Sequence, residues 1–167
     1  RESAAFDLLV DALGVRSVLT PKMGQALAYG ALLANLPWPA EAGFDAHALE
    51  QRYRGARQMV GVMPIGRASK QASPQAALFW SLKQTDYLAW RAQPLAAWKA
   101  QVLALWPRVA PLLEGITQHD DLVFARYAHK TLPDPVGPGL VHLGDSYHSA
   151  SPQLGQGVNM GLLDAFA

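Results

Sequence analysis

Short apolar stretches, separated by glycine, proline and polar residues, run through most of the chain. Six of them are typical of buried or half-buried strands: residues 6–11, 25–36, 58–65, 77–83, 122–127 and 140–143. Residues 25–36 are rich in Ala and Leu, which would suit a helix equally, but closing prolines favour a strand. Residues 58–65 and 77–83 flank a polar turn region and predict a hairpin with a long connection. Residues 39–55 are mixed, which predicts a loop with a short helical piece.

A different spacing begins near residue 94. Apolar side chains there recur three and four positions apart, which places them on one side of a helix: Leu95, Trp98, Val102, Leu105, Val109 and Leu112. Pro94 suits the first turn of this helix, whereas Pro107 and Pro111 should stop it or kink its far end. A second helix is predicted from Val158 to the end of the chain. Strands combined with packed helices predict an α+β fold with a mixed, mostly antiparallel sheet.

Composition narrows the class of protein. Half of the 167 residues are hydrophobic and five are tryptophan, which is enough for a globular domain with a substantial core. The net charge is +1 with scattered Lys and Arg, which argues against a nucleic-acid partner. Without cysteine the chain can form neither disulfides nor thiolate metal sites, and we expect no metal. The longest apolar stretch, residues 27–36, is too short to span a membrane. No signal-peptide pattern is visible, so the cytoplasm is the expected location.

The loop between the last predicted strand and the last predicted helix is the segment most informative about chemistry. Asp145 follows the strand, and its carboxylate can accept hydrogen bonds from a polyol or ribose. Gly155 and Gly157 let a ligand approach the backbone closely, and the N–H groups of the helix start favour an anion or an electron-rich carbonyl. Together they predict a cradle for a phosphate-bearing or flavin-like cofactor. The alternative is a plain strand-ending turn in which Asp145 caps a helix.

This loop resembles a motif of the class A flavoprotein monooxygenases, the family of para-hydroxybenzoate hydroxylase. The family motif reads approximately G-D-A-A-H-x-x-x-P-x-x-G-x-G-x-N. The chain matches it without a gap at Gly144, Asp145, His148, Pro152, Gly155, Gly157 and Asn159. Ser146 and Tyr147 stand where the family has two alanines.

The resemblance implies FAD as cofactor and assigns roles to the matching residues. Asp145 would hydrogen-bond the ribityl chain and Pro152 would lie beside the isoalloxazine. Gly157, Val158 and Asn159 would meet the pyrimidine edge of the ring. No catalytic side chain is predicted. We expect no carboxylate partner or further metal ligand for His148, so we interpret it as a packed or solvated histidine and not as a catalytic base.

A second resemblance lies upstream, to the family motif D-G-x-x-S-x-V-R. Gly14 and Ser17 match it, but Leu13 replaces the acid and Thr20 replaces the arginine. In the family this motif serves the cofactor pyrophosphate and the nicotinamide donor, so NAD(P)H as electron donor stays open. A plain strand and turn would explain the same residues.

The stretch between the two motifs is similar to the family's substrate domain. The resemblance therefore predicts three segments: residues 1–20 as a remnant of a Rossmann-like FAD domain, 21–138 as a substrate-binding sheet domain with a long helix, and 139–167 as the C-terminal FAD-motif segment, which supplies the last strand and helix of that domain. Candidate pocket residues for a small apolar or aromatic substrate are Met63, Ile65, Phe79 and Ser81, although ordinary core positions would explain them too.

The resemblance implies part of an FAD-dependent oxidoreductase. The parent would be a monooxygenase that hydroxylates its substrate with NAD(P)H and O₂. A flavin-dependent reductase, dehydrogenase or halogenase on the same scaffold is an alternative, as is a non-catalytic substrate-domain fragment. No G-x-G-x-x-G unit for the adenine half of FAD is present in the 167 residues. We therefore expect the isolated chain to be inactive, to bind FAD weakly or not at all, and to self-associate through an exposed apolar face.

Overall fold

The computed structural model describes residues 5–152 and 155–167. These residues form two compact units, one running to Leu27 and resuming at Tyr127, the other spanning Ala28–Arg126. The strands are β1 (Leu9–Asp11), β2 (Gln25–Pro37), β3 (Glu50–Arg54), β4 (Gln58–Gly66), β5 (Gln75–Lys83), β6 (Val123–Thr131), β7 (Val136–Gly137), β8 (Leu140–His142) and β9 (His148–Ser149). The α-helices are α1 (Tyr87–Ala92), α2 (Leu95–Leu105), α3 (Ala110–Glu114) and α4 (Gly157–Phe166).

The Ala28–Arg126 unit is a sheet with helices packed on one face. Its strands lie in the order β3-β4-β5-β2-β6, and the predicted β4–β5 hairpin is antiparallel. Val60 and Leu32 both pair with Trp80, so these three residues line one face of the sheet. Trp80 meets Trp98 of α2 edge to face, with ring centroids 6.5 Å apart. Burial of this face against the helices forms the core, which contains four of the five tryptophans.

The predicted long helix is divided in two. α2 ends at Leu105, a 3₁₀ turn follows at Pro107–Val109, and α3 begins at Ala110. Proline lacks an N–H group, so Pro107 cannot continue the hydrogen-bond ladder of α2. The predicted buried side of the helix is confirmed at Trp98, Val102 and Val109, which are fully buried.

Two elements of this unit were not predicted. α1 precedes α2 and buries Trp90. β3 falls within the stretch expected to be a loop, and it pairs antiparallel with β4 at the edge of the sheet. Its polar sequence, Glu50–Arg54, shows no apolar alternation, because an edge strand that is mostly exposed does not need one.

The other unit holds a three-stranded sheet and α4. In this sheet β1 pairs parallel with β8, and β8 pairs antiparallel with β7. β9 pairs antiparallel with the end of β6 at Lys130 and Thr131. Parallel pairing of β1 with β8, beside antiparallel pairing elsewhere, confirms the predicted α+β class with a mixed, mostly antiparallel sheet. The predicted segments 1–20, 21–138 and 139–167 stay predictions.

Candidate cofactor-binding site

The turn that carries Asp145 follows β8 directly. It is a 3₁₀ turn, Gly144–Ser146, that begins with Gly144 at φ +57°, a conformation glycine adopts without strain. Ser146 is fully buried, and its hydroxyl donates to the backbone oxygen of Asp11 at 2.6 Å. The Asp145 side chain is exposed, and no hydrogen bond reaches its carboxylate from the described part of the chain. Ser146 thus anchors the turn while Asp145 stays available to a ligand.

The start of α4 lies beside this carboxylate. A Cβ atom on Gly157 would stand 3.9 Å from Asp145 Oδ1. The first N–H bonded within the helix is that of Met160, which donates to the Gln156 oxygen at 2.9 Å. Within residues 5–152 and 155–167, no partner is found for the N–H groups of Gly157, Val158 and Asn159, which are exposed. An open acceptor therefore faces open donors, which is the arrangement a cradle for a polar cofactor needs.

The remaining residues of the predicted motif lie in the same loop. Gly155 has φ +63°, and a Cβ atom there would meet nothing within 4 Å. Its N–H donates to the Pro152 oxygen at 3.0 Å. Asp145 does not cap a helix: Leu143 holds the N-cap of its turn and Gln156 that of α4. The capping alternative is therefore not what the structure contains.

His148 is a packed histidine, as interpreted, but the expectation that it has no carboxylate partner was wrong. His148 Nε2 lies 2.7 Å from Asp164 Oδ2, and both side chains are largely buried. The same Asp164 oxygen accepts the N–H of Gly144 at 2.7 Å. Asp164 follows His148 by 16 positions, and only the packing of α4 against the loop brings the two together.

A buried polar cluster supports the turn from β1. Asp11 is 1% exposed, and its Oδ2 accepts the Ser17 hydroxyl at 2.6 Å and lies 2.7 Å from His142 Nδ1. Burial alone would raise the pKa of the Asp11 carboxyl, but the hydrogen bonds from Ser17, Leu13 N–H and His142 outweigh it and hold that pKa below its usual range. The hydroxyl of Ser17, which matches the upstream motif, thus donates its hydrogen bond to the Asp11 carboxylate of the same unit.

The upstream segment also lines a cationic cavity of about 240 Å³. Three cations line it, Arg16, Lys22 and Lys130, and none of its lining residues is acidic. Lys130 is only 7% exposed, and its ammonium group makes no ion pair or hydrogen bond within the described part of the chain. Thr20, also in the lining, is buried and donates its hydroxyl to the Ser146 oxygen at 3.4 Å. This cavity was not predicted, because Lys130 is remote in sequence from the other lining residues.

The predicted substrate residues lie in the Ala28–Arg126 unit, on the β4–β5 hairpin. Phe79 pairs with Gly61, and Met63 lies two positions further along the same face of β4. Ile65 sits at an irregularity in the pairing between Pro64 and Gly66. The Ser81 hydroxyl accepts the N–H of Met59 at 2.8 Å.

These substrate candidates line neither the cationic cavity nor a second cavity in their own unit. Met63, Phe79 and Ser81 are half-buried, and Ile65 is more exposed. A second cavity of about 390 Å³ occurs in the same unit, lined by Trp38, Ala46, His47, Pro64, Gly66, Pro74 and Gln75. The assignment of the four residues to a substrate pocket therefore stays a prediction.

The fold of this chain resembles that of known proteins, although its sequence matches none of the families or curated proteins compared. No protein-family model matches the chain, and no curated protein matches it in sequence. PqsL from Pseudomonas aeruginosa, a probable FAD-dependent monooxygenase, is 16% identical over 96% of this chain and 44% of its own, with a TM-score of 0.73. A variant of HpxO from Klebsiella pneumoniae, solved in complex with FAD, is 22% identical over 98% of this chain and 43% of its own, with a TM-score of 0.69. The fold is that of FAD-dependent monooxygenases.

This likeness confirms the predicted resemblance at the level of the fold. The chain spans less than half the length of the solved monooxygenases it matches. The monooxygenase fold also occurs in the flavin-dependent brominase Bmp2, which is 17% identical over 94% of this chain and 40% of its own, with a TM-score of 0.68. The fold therefore accommodates more than one flavin chemistry.

A membrane-spanning helix and a metal-binding cluster are both absent from the described residues. No helix among them is long and apolar enough to cross a membrane. Residues 5–152 and 155–167 bring together no group of three or more His, Asp or Glu side chains suited to a metal ion. The cytoplasmic location stays a prediction.

Proposed function

We propose that this chain forms the flavin-end part of an FAD-dependent monooxygenase that uses NAD(P)H and O₂ to hydroxylate an aromatic or other small apolar substrate. The observation that carries the proposal is the exposed Asp145 carboxylate beside the open N-terminus of α4, within a fold shared with FAD-dependent monooxygenases. The isolated chain is expected to be inactive, since the chain spans less than half of those proteins.

The residues of the loop fit the flavin end of FAD. The Asp145 carboxylate would accept hydrogen bonds from ribityl hydroxyls, and the N–H groups of Gly157, Val158 and Asn159 would donate to the electron-rich pyrimidine edge. The positive end of the α4 dipole would stabilise negative charge there. Pro152 and Gly155 belong to the same loop, and the Gly155 N–H donates to the Pro152 oxygen. When bound, FAD would supply electron transfer and oxygen activation, which no side chain can provide.

The cationic cavity supports a phosphorylated electron donor. The upstream motif has Thr20 where the family has an arginine, so the sequence did not decide whether NAD(P)H is the electron donor. Arg16, Lys22 and Lys130 nevertheless give this region three positive charges without an acidic neighbour in the lining. A pyrophosphate would neutralise cations that protein groups leave unpaired.

The half-buried face of the β4–β5 hairpin that carries Met63 and Phe79 supports an apolar substrate. Met63 and Phe79 offer a thioether and an aromatic ring at neighbouring positions, and Ile65 extends the apolar surface. Ser81 would contribute little polarity, since its oxygen already accepts a backbone N–H. Such a surface recognises a ring by burial and by aromatic contact.

A flavin-dependent halogenase is the second candidate, favoured by the likeness to Bmp2. A reductase or dehydrogenase would use the same flavin site. Oxygen uptake coupled to NAD(P)H oxidation separates a monooxygenase or halogenase from a reductase or dehydrogenase. Among the oxygen-dependent ones, incorporation of bromide or chloride into the product distinguishes a halogenase from a hydroxylase.

Substitution of Asp145 in the full-length protein tests the flavin site. Asp145→Ala should raise the Kd for FAD about 10- to 100-fold, the worth of one or two charge-assisted hydrogen bonds. Asp145→Asn, which retains an acceptor oxygen, should lose less. Asp134→Ala removes an exposed carboxylate of the same unit and serves as the control. Purified wild-type protein without a flavin absorption spectrum, or equal FAD affinity in Asp145→Ala, would overturn the proposal.

A further inference from the structure

Asp164 joins two points of the loop that flank Asp145. Its Oδ2 accepts the N–H of Gly144, the residue before Asp145, at 2.7 Å. It also lies 2.7 Å from Nε2 of His148, three residues after Asp145. A carboxylate oxygen only accepts, so Nε2 of His148 carries the proton in this contact. One oxygen on α4 thereby fixes both sides of the Asp145 turn.

The contact is sheltered and is reinforced by close backbone packing. The His148 and Asp164 side chains are 10% and 18% exposed, so water competes little for their hydrogen bond. One helical turn before Asp164, a Cβ atom on Gly161 would stand 3.5 Å from the Gly144 Cα. The Gly144 turn therefore rests on α4 at Gly161 and is bonded to it at Asp164.

This attachment sets the distance between the two halves of the cofactor site. Asp145 is carried by the turn, whereas the N–H groups of Gly157 to Asn159 belong to α4. The Asp164 bonds connect these two elements seven residues beyond Gly157. Without them, the loop would lose its hydrogen bonds to Asp164 and would depend on the packing of Gly144 against Gly161 to hold its position on α4.

We propose that Asp164, with His148 as its partner, is a positioning residue for the flavin site: it holds the Asp145 carboxylate in register with the N-terminus of α4 and does not itself touch the cofactor. The inference rests on the proposed function. It gives His148 a role that its place in the motif did not reveal.

Flavin affinity of full-length variants tests this role. In Asp164→Ala the Kd for FAD and for FMN should rise about tenfold, because the acceptor for Gly144 N–H is lost. Asp164→Asn keeps an oxygen for that N–H, and His148→Gln keeps a donor for Asp164, so both should stay within about threefold of wild type. Asp134→Ala is the control. Binding of ADP, which carries no flavin, should be unchanged in every variant.

The outcomes separate the two proposals. Flavin binding that Asp145→Ala weakens but Asp164→Ala leaves within twofold would overturn the positioning role alone. Equal losses of FAD and ADP affinity in Asp164→Ala and Asp164→Asn would also overturn it, since they indicate general damage to the fold. A wild-type protein that binds no flavin would overturn both. If Asp164→Ala does not fold, the affinities of Asp164→Asn and His148→Ala decide: His148→Ala should bind FAD and FMN more weakly than Asp164→Asn.

Discussion

Asp11 and His142 are directly paired across the parallel strands β1 and β8, and His142 Nδ1 lies 2.7 Å from Asp11 Oδ2. Both side chains are buried, and Asp11 also accepts the Ser17 hydroxyl and the Leu13 N–H. The pair ties the upstream motif to the strand that leads into the Asp145 turn. The hydrogen bond between them explains why two titratable side chains can be buried in strands whose apolar pattern does not predict them.

Replacing Asp11 should destabilise the protein and change its response to acid. Asp11→Asn should lower the free energy of unfolding by about 1–3 kcal/mol at neutral pH, because buried donors lose a charged acceptor. The folded-state pKa of Asp11 lies below its unfolded value, so its contribution is fully present above about pH 4 and is lost as pH falls through the folded pKa. Denaturant unfolding between pH 2 and 7 measures both effects.

The acid response should become shallower in the Asp11→Asn variant but should not vanish. Hydrogen bonds also lower the pKa of Glu50, chiefly one from the Asp45 N–H, and the pKa of Asp121, chiefly one from the Thr117 N–H. Asp134→Asn, at an exposed position, should behave as wild type. If the free energy of unfolding of Asp11→Asn fell with decreasing pH as steeply as that of wild type, the lowered pKa of Asp11 would be contradicted.

The sequence predicted local elements better than remote contacts. The strands β2, β4 and β5 were predicted because their apolar runs form the sheet core, whereas the polar edge strand β3 depends on pairing with β4 and carries no such signal. The Gly and Asp positions of the cofactor loop were identified because they are contiguous. Asp11 and His142 are 131 positions apart, so only the folded chain shows that they meet.

Gly157 should matter for the cofactor and not for stability. A methyl group at this position would project beside Asp145 Oδ1, where the flavin end is proposed to bind. Alanine favours a helix over glycine by up to about 1 kcal/mol, so Gly157→Ala should leave the melting temperature unchanged or raised. The Kd for FAD should nevertheless rise several-fold. Gly137→Ala, where a Cβ atom meets nothing within 4 Å, is the control, and equal FAD affinity in both variants would contradict the site.

Lys130 should govern binding of the electron donor. Lys130→Ala removes the buried cation of the cavity, so the KM for NAD(P)H should rise about tenfold while the Kd for FAD stays unchanged. Lys70→Ala, at an exposed position in the other unit, is the control for loss of one charge. Steady-state kinetics at saturating substrate measure the change. A KM that moves no more in Lys130→Ala than in Lys70→Ala would remove the cavity from the donor site.

The unit that contains α4 exposes apolar side chains that should make the isolated chain self-associate. Leu163 and Phe166 on α4 are 67% and 92% exposed, and Val10 of β1 is 49% exposed. Water-exposed apolar surface of this extent favours association. Sedimentation velocity should therefore show oligomers that grow with concentration, and the double variant Leu163→Lys with Phe166→Lys should shift them towards monomer. Leu88→Lys, on the separate Ala28–Arg126 unit and 78% exposed, should not. A monomer at every concentration, or equal effects of the variants, would show that this surface does not drive association.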